Sequence, residues 1–252
     1  MLKNDFEYQF IKPDVLLSDY VDYFWLVANH SENDKQIIVL PDGRVDILFS
    51  YSGSEPFHVV LLGLESQATQ TTFASQTVIF GVSLKLLAIE YLLHTSISSL
   101  LDGVQVLPTS FWEFKQEDLS NFELCCQKAT HKISQLIKGN IDNRKRKLFE
   151  LIYSSKGSMN ITTLSEEVAW SSRQINRYFN QTFGISLKSY CNILRFRASF
   201  THLKEGKLFP EQNFTDQAHF IKEVKRFSGV VPKELSKNKN DRFIQFLALP
   251  PE

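Results

Sequence analysis

The stretch from Ile161 to Gly184, ITTLSEEVAWSSRQINRYFNQTFG, constrains this chain most, because it fits two short helices with only a tight turn between them. In the first, Thr162 or Thr163 is the expected cap, Leu164 and Val168 lie one turn apart, and Glu166 and Glu167 are placed near the positive N-terminal end. The second has its own start signal. Ser171 followed three residues later by Gln174 is a capping-box spacing, in which hydroxyl and amide each satisfy a free backbone N–H, so Ala169 and Trp170 form the turn. Ile175, Phe179 and Phe183 make an apolar stripe at helical spacing, and Gly184 suits the C-terminal cap. The opposite face carries Ser172, Arg173, Asn176, Arg177 and Asn180, a row of donors without an acidic residue. A helix lying in a DNA major groove needs such a row: Arg for guanine edges, Asn for adenine, short hydroxyls and amides for phosphate. A surface helix on an ordinary helical bundle fits the local pattern equally well.

A weak internal repeat separates the two readings. At a spacing of 45 residues (177 to 222), Arg177, Phe179, Gly184, Ile185, Lys188 and Tyr190 fall on Lys222, Val224, Gly229, Val230, Lys233 and Leu235. Ser171 and Ile175 fall on Asp216 and Phe220, so a second capped helix is predicted from about Gln217 to Phe227 with a similar basic face. Two such helices in tandem are hard to explain as bundle filler.

On these segments, SSRQINRYFNQTFGIS, then YCNILRFRASFTHLKEG, then FTDQAHFIKEVKRFSGVVPKEL, the region from about Asn143 to Asn238 resembles the DNA-binding domain of the AraC/XylS family of transcriptional regulators. The resemblance implies a helix-turn-helix, a long linking helix and a second helix-turn-helix. It also implies that base-reading side chains lie near the start of each recognition helix: Arg173, Asn176 and Arg177 in the first unit, Gln217, His219 and Lys222 in the second. One departure stands out. Where the second unit should have its first helix, the chain reads GKLFPEQN, and Pro210 would break a helix in its middle. The second unit is therefore expected to be truncated, its helix sitting differently in the groove or contributing only phosphate contacts from Lys222, Lys225 and Arg226.

Charge divides the chain in the same place. Residues 1 to 139 hold nine Lys plus Arg against 17 Asp plus Glu, about −8, and residues 140 to 252 hold 19 against 11, about +8. A basic second half agrees with a polyanion partner, from which the acidic first half is repelled. Cys125, Cys126 and Cys191 offer no disulfide framework and point to a reducing cytoplasm. MLKNDFEYQF lacks the regions of a signal peptide, and no apolar run approaches membrane-spanning length, so a soluble protein is expected.

The expected organisation is α+β: a β-rich sheet or small barrel with late helices over 1–138, an all-helical double helix-turn-helix domain over 139–238, and an apolar tail over 239–252. EYQFIKP, DYFWLVANH, KQIIVL, VDILFSYSG, FHVVLLGL and QTVIFGVSL read as strands, with Pro41, Asp42 and Gly43 as a tight turn from one strand into the next. Leu84, Leu87, Ala88, Tyr91 and Leu92 fit a helix. Through LPDGRVDILF and FGVSLK this part resembles, less specifically, N-terminal modules that precede the DNA-binding domain in some AraC-type proteins, which implies sensing or pairing and identifies no ligand.

His30, His58, His94, His131, His202 and His219 are scattered singly, and no metal-binding spacing, phosphate loop or nucleophile elbow occurs, so neither catalysis nor a cofactor is expected. Arg44 beside Asp42 and Asp46 could be a polar cluster inside a pocket, but a turn with solvated charges is the favoured explanation. Tyr20, Tyr23, Phe24 and Trp25 could line an apolar ligand cavity, against plain core packing as the commoner case. Between the halves, Phe122, Cys125, Ala129, Ile133 and Leu136 stripe a helix over about 120–138 that packs on its own domain or pairs two subunits, and Gly139 and Asn140 make a hinge. Arg144 to Lys147, RKRK, opens the next helix, where four cations are unfavourable unless phosphates are close, or else form a solvated run. Phe243, Ile244, Phe246 and Leu247 in the tail need cover from the sheet or from a partner.

The sequence thus points to a sequence-specific DNA-binding regulator with double-stranded DNA as partner, a small-molecule effector of unknown identity, and a homodimer left open. Two other readings remain at this stage. One is a small-molecule binder or enzyme tethered by its basic half, and the other is an adaptor whose tandem helices meet an acidic protein.

Overall fold

The computed structural model describes residues 6–209, 214 and 216–247. In chain order the strands and helices are β1 (Phe6–Ile11), β2 (Val21–Asn29), β3 (Lys35–Val39), β4 (Val45–Tyr51), β5 (His58–Leu62), β6 (Thr69–Phe73), β7 (Thr77–Leu84), α1 (Leu86–Tyr91), β8 (Val104–Leu107) and α2 (Phe122–Leu136). The helical half follows with α3 (Asn143–Ser154), α4 (Ile161–Glu167), α5 (Ser172–Phe183), α6 (Leu187–Ala198), α7 (Phe200–Lys204), α8 (Gln217–Ser228), α9 (Pro232–Lys237) and α10 (Ile244–Leu247). An antiparallel sheet followed by helices is the class expected.

The larger sheet has the order β1-β2-β7-β4-β5-β8, and β3 pairs with β6 in a separate ribbon. Alternation along the strands gives the larger sheet two different faces. Phe24 of β2, Phe49 of β4 and Phe80 of β7 are fully buried on one face, where Phe114 stacks on Phe49 at 4.1 Å and Phe122 of α2 meets Phe80 edge-on. Trp25, Asp46 and Ser83 point the other way, toward the ribbon. Asp42 and Gly43 therefore do not close a hairpin: they carry the chain from the ribbon into the larger sheet, because β3 and β4 pair with different neighbours. Two polar or short strands, β6 (TQTTF) and β8 (VQVL), carried too little apolar signal to be predicted. Leu84 ends β7, and the helix expected there begins only at Leu86.

Helix α2 buries Cys125, Cys126, Ala129 and Ile133 against its own sheet, with Phe122 and Leu136 of the same stripe partly buried. Burial holds the thiols of Cys125, Cys126 and Cys191 up at about 12, which keeps them protonated and unreactive. Most buried apolar side chains form one cluster from Leu17 to Phe246, crossing the boundary expected near Gly139, and Val27, Ile37 and Phe73 form a second, smaller one.

The RKRK run has four carboxylate partners instead of phosphates. Arg144 pairs with Asp142 at 2.8 Å, Lys145 with Glu90 at 2.5 Å, Arg146 with Asp19 at 3.2 Å and Lys147 with Glu167 at 2.8 Å. Asp19 and Glu90 come from the sheet-bearing half, so two of the four pairs join the halves. The tail is stitched to the ribbon: Ile38 N donates to Arg242 O at 2.7 Å, and the Gln245 amide exchanges bonds of 3.0 and 2.9 Å with the backbone of Leu40. Phe243 and Phe246 are buried there, and Ile244 packs with Val27, Ile37 and Phe73.

Candidate nucleic-acid interface and an acidic cavity

Asn160, not a threonine, caps α4 by accepting from Thr163 N at 2.8 Å, and the helix runs out at Glu167. Glu166 and Glu167 therefore sit at its C-terminal end, a correction that follows from the cap lying two residues earlier than expected. The chain turns at Ala169, which adopts φ 50°, and Trp170 packs on Tyr178 at 5.4 Å. The capping box forms as predicted: Ser171 N donates to Gln174 Oε1 at 3.0 Å and Gln174 N to Ser171 Oγ at 3.3 Å. Ile175, Phe179 and Phe183 are fully buried, and Gly184 closes α5 in the left-handed region at φ 74°.

With that stripe fixed, helical geometry turns the other residues outward. Arg173, Arg177 and Asn180 are exposed, and Ser172 and Asn176 are half-buried. The Asn176 amide donates to Ser172 O at 3.0 Å and that of Asn180 to Asn176 O at 2.8 Å. Each carboxamide thus spends one N–H on its own helix and keeps a second N–H and Oδ1 for other partners. Arg173 and Arg177 have no carboxylate on their own helix, whose sequence contains none.

The second helix repeats the plan. Asp216 caps α8 by accepting from His219 N at 2.8 Å, Phe220, Val224 and Phe227 are buried, and Gly229 ends it at φ 77°. Lys222 and Lys225 are exposed, whereas Arg226 is tied to the buried Glu223 at 3.4 Å. Gln217 donates to Leu208 O at 2.8 Å, and the half-buried His219 ring lies edge-on to Phe214. Residues 206 to 209 of the GKLFPEQN segment are not helical; Pro210 and the three residues after it lie outside the described residues. The linking helix is interrupted at Ser199, whose hydroxyl turns back onto Phe196 O, dividing it into α6 and α7.

The sheet-bearing half grips α5 directly. Ser96 Oγ donates to Gln181 O and Thr182 O at 2.8 and 3.0 Å, Ile97 N donates to Thr182 O at 2.9 Å, and Tyr178 OH donates to Glu90 at 3.1 Å. These bonds satisfy carbonyls that a helix end otherwise leaves open. Deeper in, Asp22 bridges the halves, accepting from Arg44 Nε at 2.8 Å and from Arg197 of α6 at 2.9 Å. Arg44 is buried, so the favoured picture of a turn with solvated charges is wrong: the strand bulge after Val21 brings Asp22 under it, a partner remote in sequence. Burial alone would raise the Asp22 carboxyl, but the two guanidiniums overcome it and hold it well below the usual carboxylate range. Its stabilising contribution is therefore complete at neutral pH and is lost as pH falls below about 4 toward the lowered value.

On the ribbon side of the larger sheet lies a cavity of about 510 Å³. Tyr23 and Trp25 line it, while Tyr20 and Phe24 belong to the core, so the aromatic group of β2 is shared between cavity and core by strand alternation. Val27, Ile37, Val39 and Leu48 add apolar wall, Arg197, Phe200, Ile244 and Gln245 close one side, and Asp42, Asp46, Glu65 and Asp102 supply carboxylates. Trp25 Nε1 donates to Ser83 at 3.0 Å and to Asp46 Oδ1 at 3.4 Å, and Ser83 Oγ also bonds Asp46 Oδ1. Burial, reinforced by Asp42, pushes the Asp46 carboxyl up to about 7, and burial with Asp42, Asp46 and Asp102 pushes Glu65 to about 8. Sequence reasoning missed Asp22, Glu65 and Arg197. Asp46 carried a usable signal, a carboxylate at the start of an otherwise apolar strand.

The profile of a family described as "Domain of unknown function (DUF6597)" matches residues 9–121. No curated protein matches. Among solved structures, ToxT from Vibrio cholerae in a P21 crystal form is similar at 13% identity and a TM-score of 0.46, over 93% of this chain and 98% of that one. ToxT bound to (E)-4-(8-methylnaphthalen-1-yl)but-3-enoic acid gives 14% identity and 0.47, over 93% and 99%. Unsaturated fatty acid bound wild-type ToxT gives 15% and 0.41, over 91% and 93%.

Proposed function

We propose that this protein is a DNA-binding transcriptional regulator of AraC type, not an enzyme, acting on double-stranded DNA in the cytoplasm. Helix α5 reads the major groove, with Arg173, Asn176 and Arg177 directed to bases and Ser172 and Asn180 to phosphate or base edges. Helix α8 adds Lys222, with Gln217 and His219 at its start. The supporting observation is the build of α5: a boxed N-terminus, three fully buried apolar anchors and an outward face that carries two arginines and no carboxylate. A helix that fills a bundle does not need its exposed face kept free of acid, whereas one that approaches phosphates does. In this reading residues 1–138 sense an effector and residues 139–238 bind DNA.

The test is selection of the purified protein on a random-sequence duplex pool at two salt concentrations. One motif surviving the higher salt is the expected result, and its length reports whether one helix or both engage the groove. Salt-labile binding without any motif, from the whole protein and from residues 139–252 alike, would sink the reading.

A further inference from the structure

We propose that the cavity between the larger sheet and the β3–β6 ribbon binds an organic cation, an amine or guanidine on an apolar body, with Asp46 and Glu65 as its counter-ions. This rests on the sensing role proposed above and names the chemical class of the effector.

The cavity, about 510 Å³, lies within the ~300–1,000 Å³ typical of small-molecule sites. Its walls are apolar and aromatic, so the body of the ligand must be too. The charges then decide the head group. Four carboxylates line the space, and among the described residues lining it the one cation is Arg197, already engaged by Asp22 at 2.9 Å. Arg44 lies close by and draws Asp46 somewhat toward its charged form, but its guanidinium is hydrogen-bonded to Asp22 and Gly43 O, not to Asp46 or Glu65. Both donors to Asp46, Ser83 and Trp25, are neutral and converge on Oδ1. Glu65 and Asp46 thus face enclosed space with other acids for neighbours and no cation hydrogen-bonded to them, and burial, reinforced by those acids, holds their carboxyls up at about 8 and about 7. An anionic ligand would add to this repulsion. A neutral one would leave it. A cation removes it, and the wall already holds one cation against an aromatic ring, Arg197 over Tyr23 at 5.9 Å, with Trp25 beside it.

Binding has a proton signature. The groups facing Asp46 and Glu65 are Asp42, Asp102, Arg44, Arg197, Tyr8 and Tyr23. Burial holds both tyrosines above their ordinary value and Arg197 keeps its charge, so near neutrality the protons available for exchange belong to Asp46 and Glu65. A cation drawing both toward the ionised form expels protons, and the heat of binding then depends on the ionisation enthalpy of the buffer.

The experiment is titration calorimetry of the full chain near pH 7 with 4-phenylbutylamine, 4-phenylbutanol and 4-phenylbutyrate, one body with three heads. The amine should bind at least about tenfold more tightly than the alcohol, the butyrate least, and the amine should release protons. Asp46→Asn and Glu65→Gln should each cut the amine's advantage about tenfold while leaving the alcohol within about twofold, which also shows that the cavity still folds. An amine no tighter than the alcohol, an advantage untouched by either variant, tightest binding by the butyrate, or no binding by any of the three would overturn the proposal. DNA selection on the same protein is read separately. A null titration with intact motif selection removes only the ligand class, and amine binding without any DNA motif removes only the regulator.

Discussion

Ser171, Ile175, Phe179, Phe183 and Gly184 in α5 have counterparts of the same kind in Asp216, Phe220, Val224, Phe227 and Gly229 of α8: a cap, buried anchors and a glycine in the left-handed region. What surrounds each helix differs. Helix α5 follows a scaffold helix, α4, its Phe179 lies within ring distance of Phe149, Tyr178, Phe183 and Tyr190, and the chain around Ser96–Ser98 closes over its C-terminus. Helix α8 leans on α6 and α9, and its Phe220 meets the rings of Phe214 and His202. The same local pattern can therefore build two helices whose orientations are fixed with unequal rigidity. For a side chain that must meet a base edge, that rigidity matters as much as the residue type.

The largest test of this contrast is in the anchors. Phe179→Ala should cost about 3–5 kcal/mol in urea unfolding, the upper range for an aromatic removed from a close-packed core, and Phe220→Ala should cost less because fewer rings surround it. Equal losses would mean that the two helices are supported alike. A finer version uses the closing glycines. Alanine in the left-handed region costs about 1–2 kcal/mol at either position, from backbone strain. At Gly229 a Cβ meets nothing within 4 Å, but at Gly184 it would lie 2.5 Å from Ser98 O. Gly184→Ala should therefore be the more costly and should speed hydrogen exchange at Ile97 N, which bonds Thr182 O. If the two alanine variants behave alike, the grip on α5 is too weak to orient it.

Much of this was legible in the sequence, for reasons that differ by element. Ser171 with Gln174, the stripe Ile175–Phe179–Phe183 and the closing glycines are local, since cap, period and φ are each set by a few consecutive residues, and the structure repeats them closely. The aromatic strands β2, β4 and β7 declared themselves by composition. Partners far apart in the chain did not. Arg44 reads as a solvated turn residue until Asp22 and Arg197 are brought beside it, RKRK reads as a phosphate site or a solvated run until Asp19 and Glu90 arrive from the other half, and Glu65 shows nothing until Asp46 and Asp42 share its enclosure. Electrostatic meaning is a property of neighbours, and sequence order does not list them.

The effects confined to DNA binding bear most directly on function. If α5 is held to read and α8 only to hold phosphate, Arg173→Ala should cost about 1–3 kcal/mol at one position of the selected site and little at the others. Lys222→Ala should instead weaken all sequences alike and lower the slope of log affinity against log salt by about one. Lys222 is well placed for that lesser role, being exposed on a helix whose first turn is partly occupied: Gln217 is bonded to Leu208 O and His219 is packed on Phe214. Footprints and motifs for the two variants decide it. A Lys222→Ala protein that relaxes a single base position would make α8 a reader in its own right, and a long bipartite site would follow. An Arg173→Ala protein that loses affinity evenly would place α5 on the backbone, and sequence selection would then have to come from Arg177 and Asn176, one turn further along the same face.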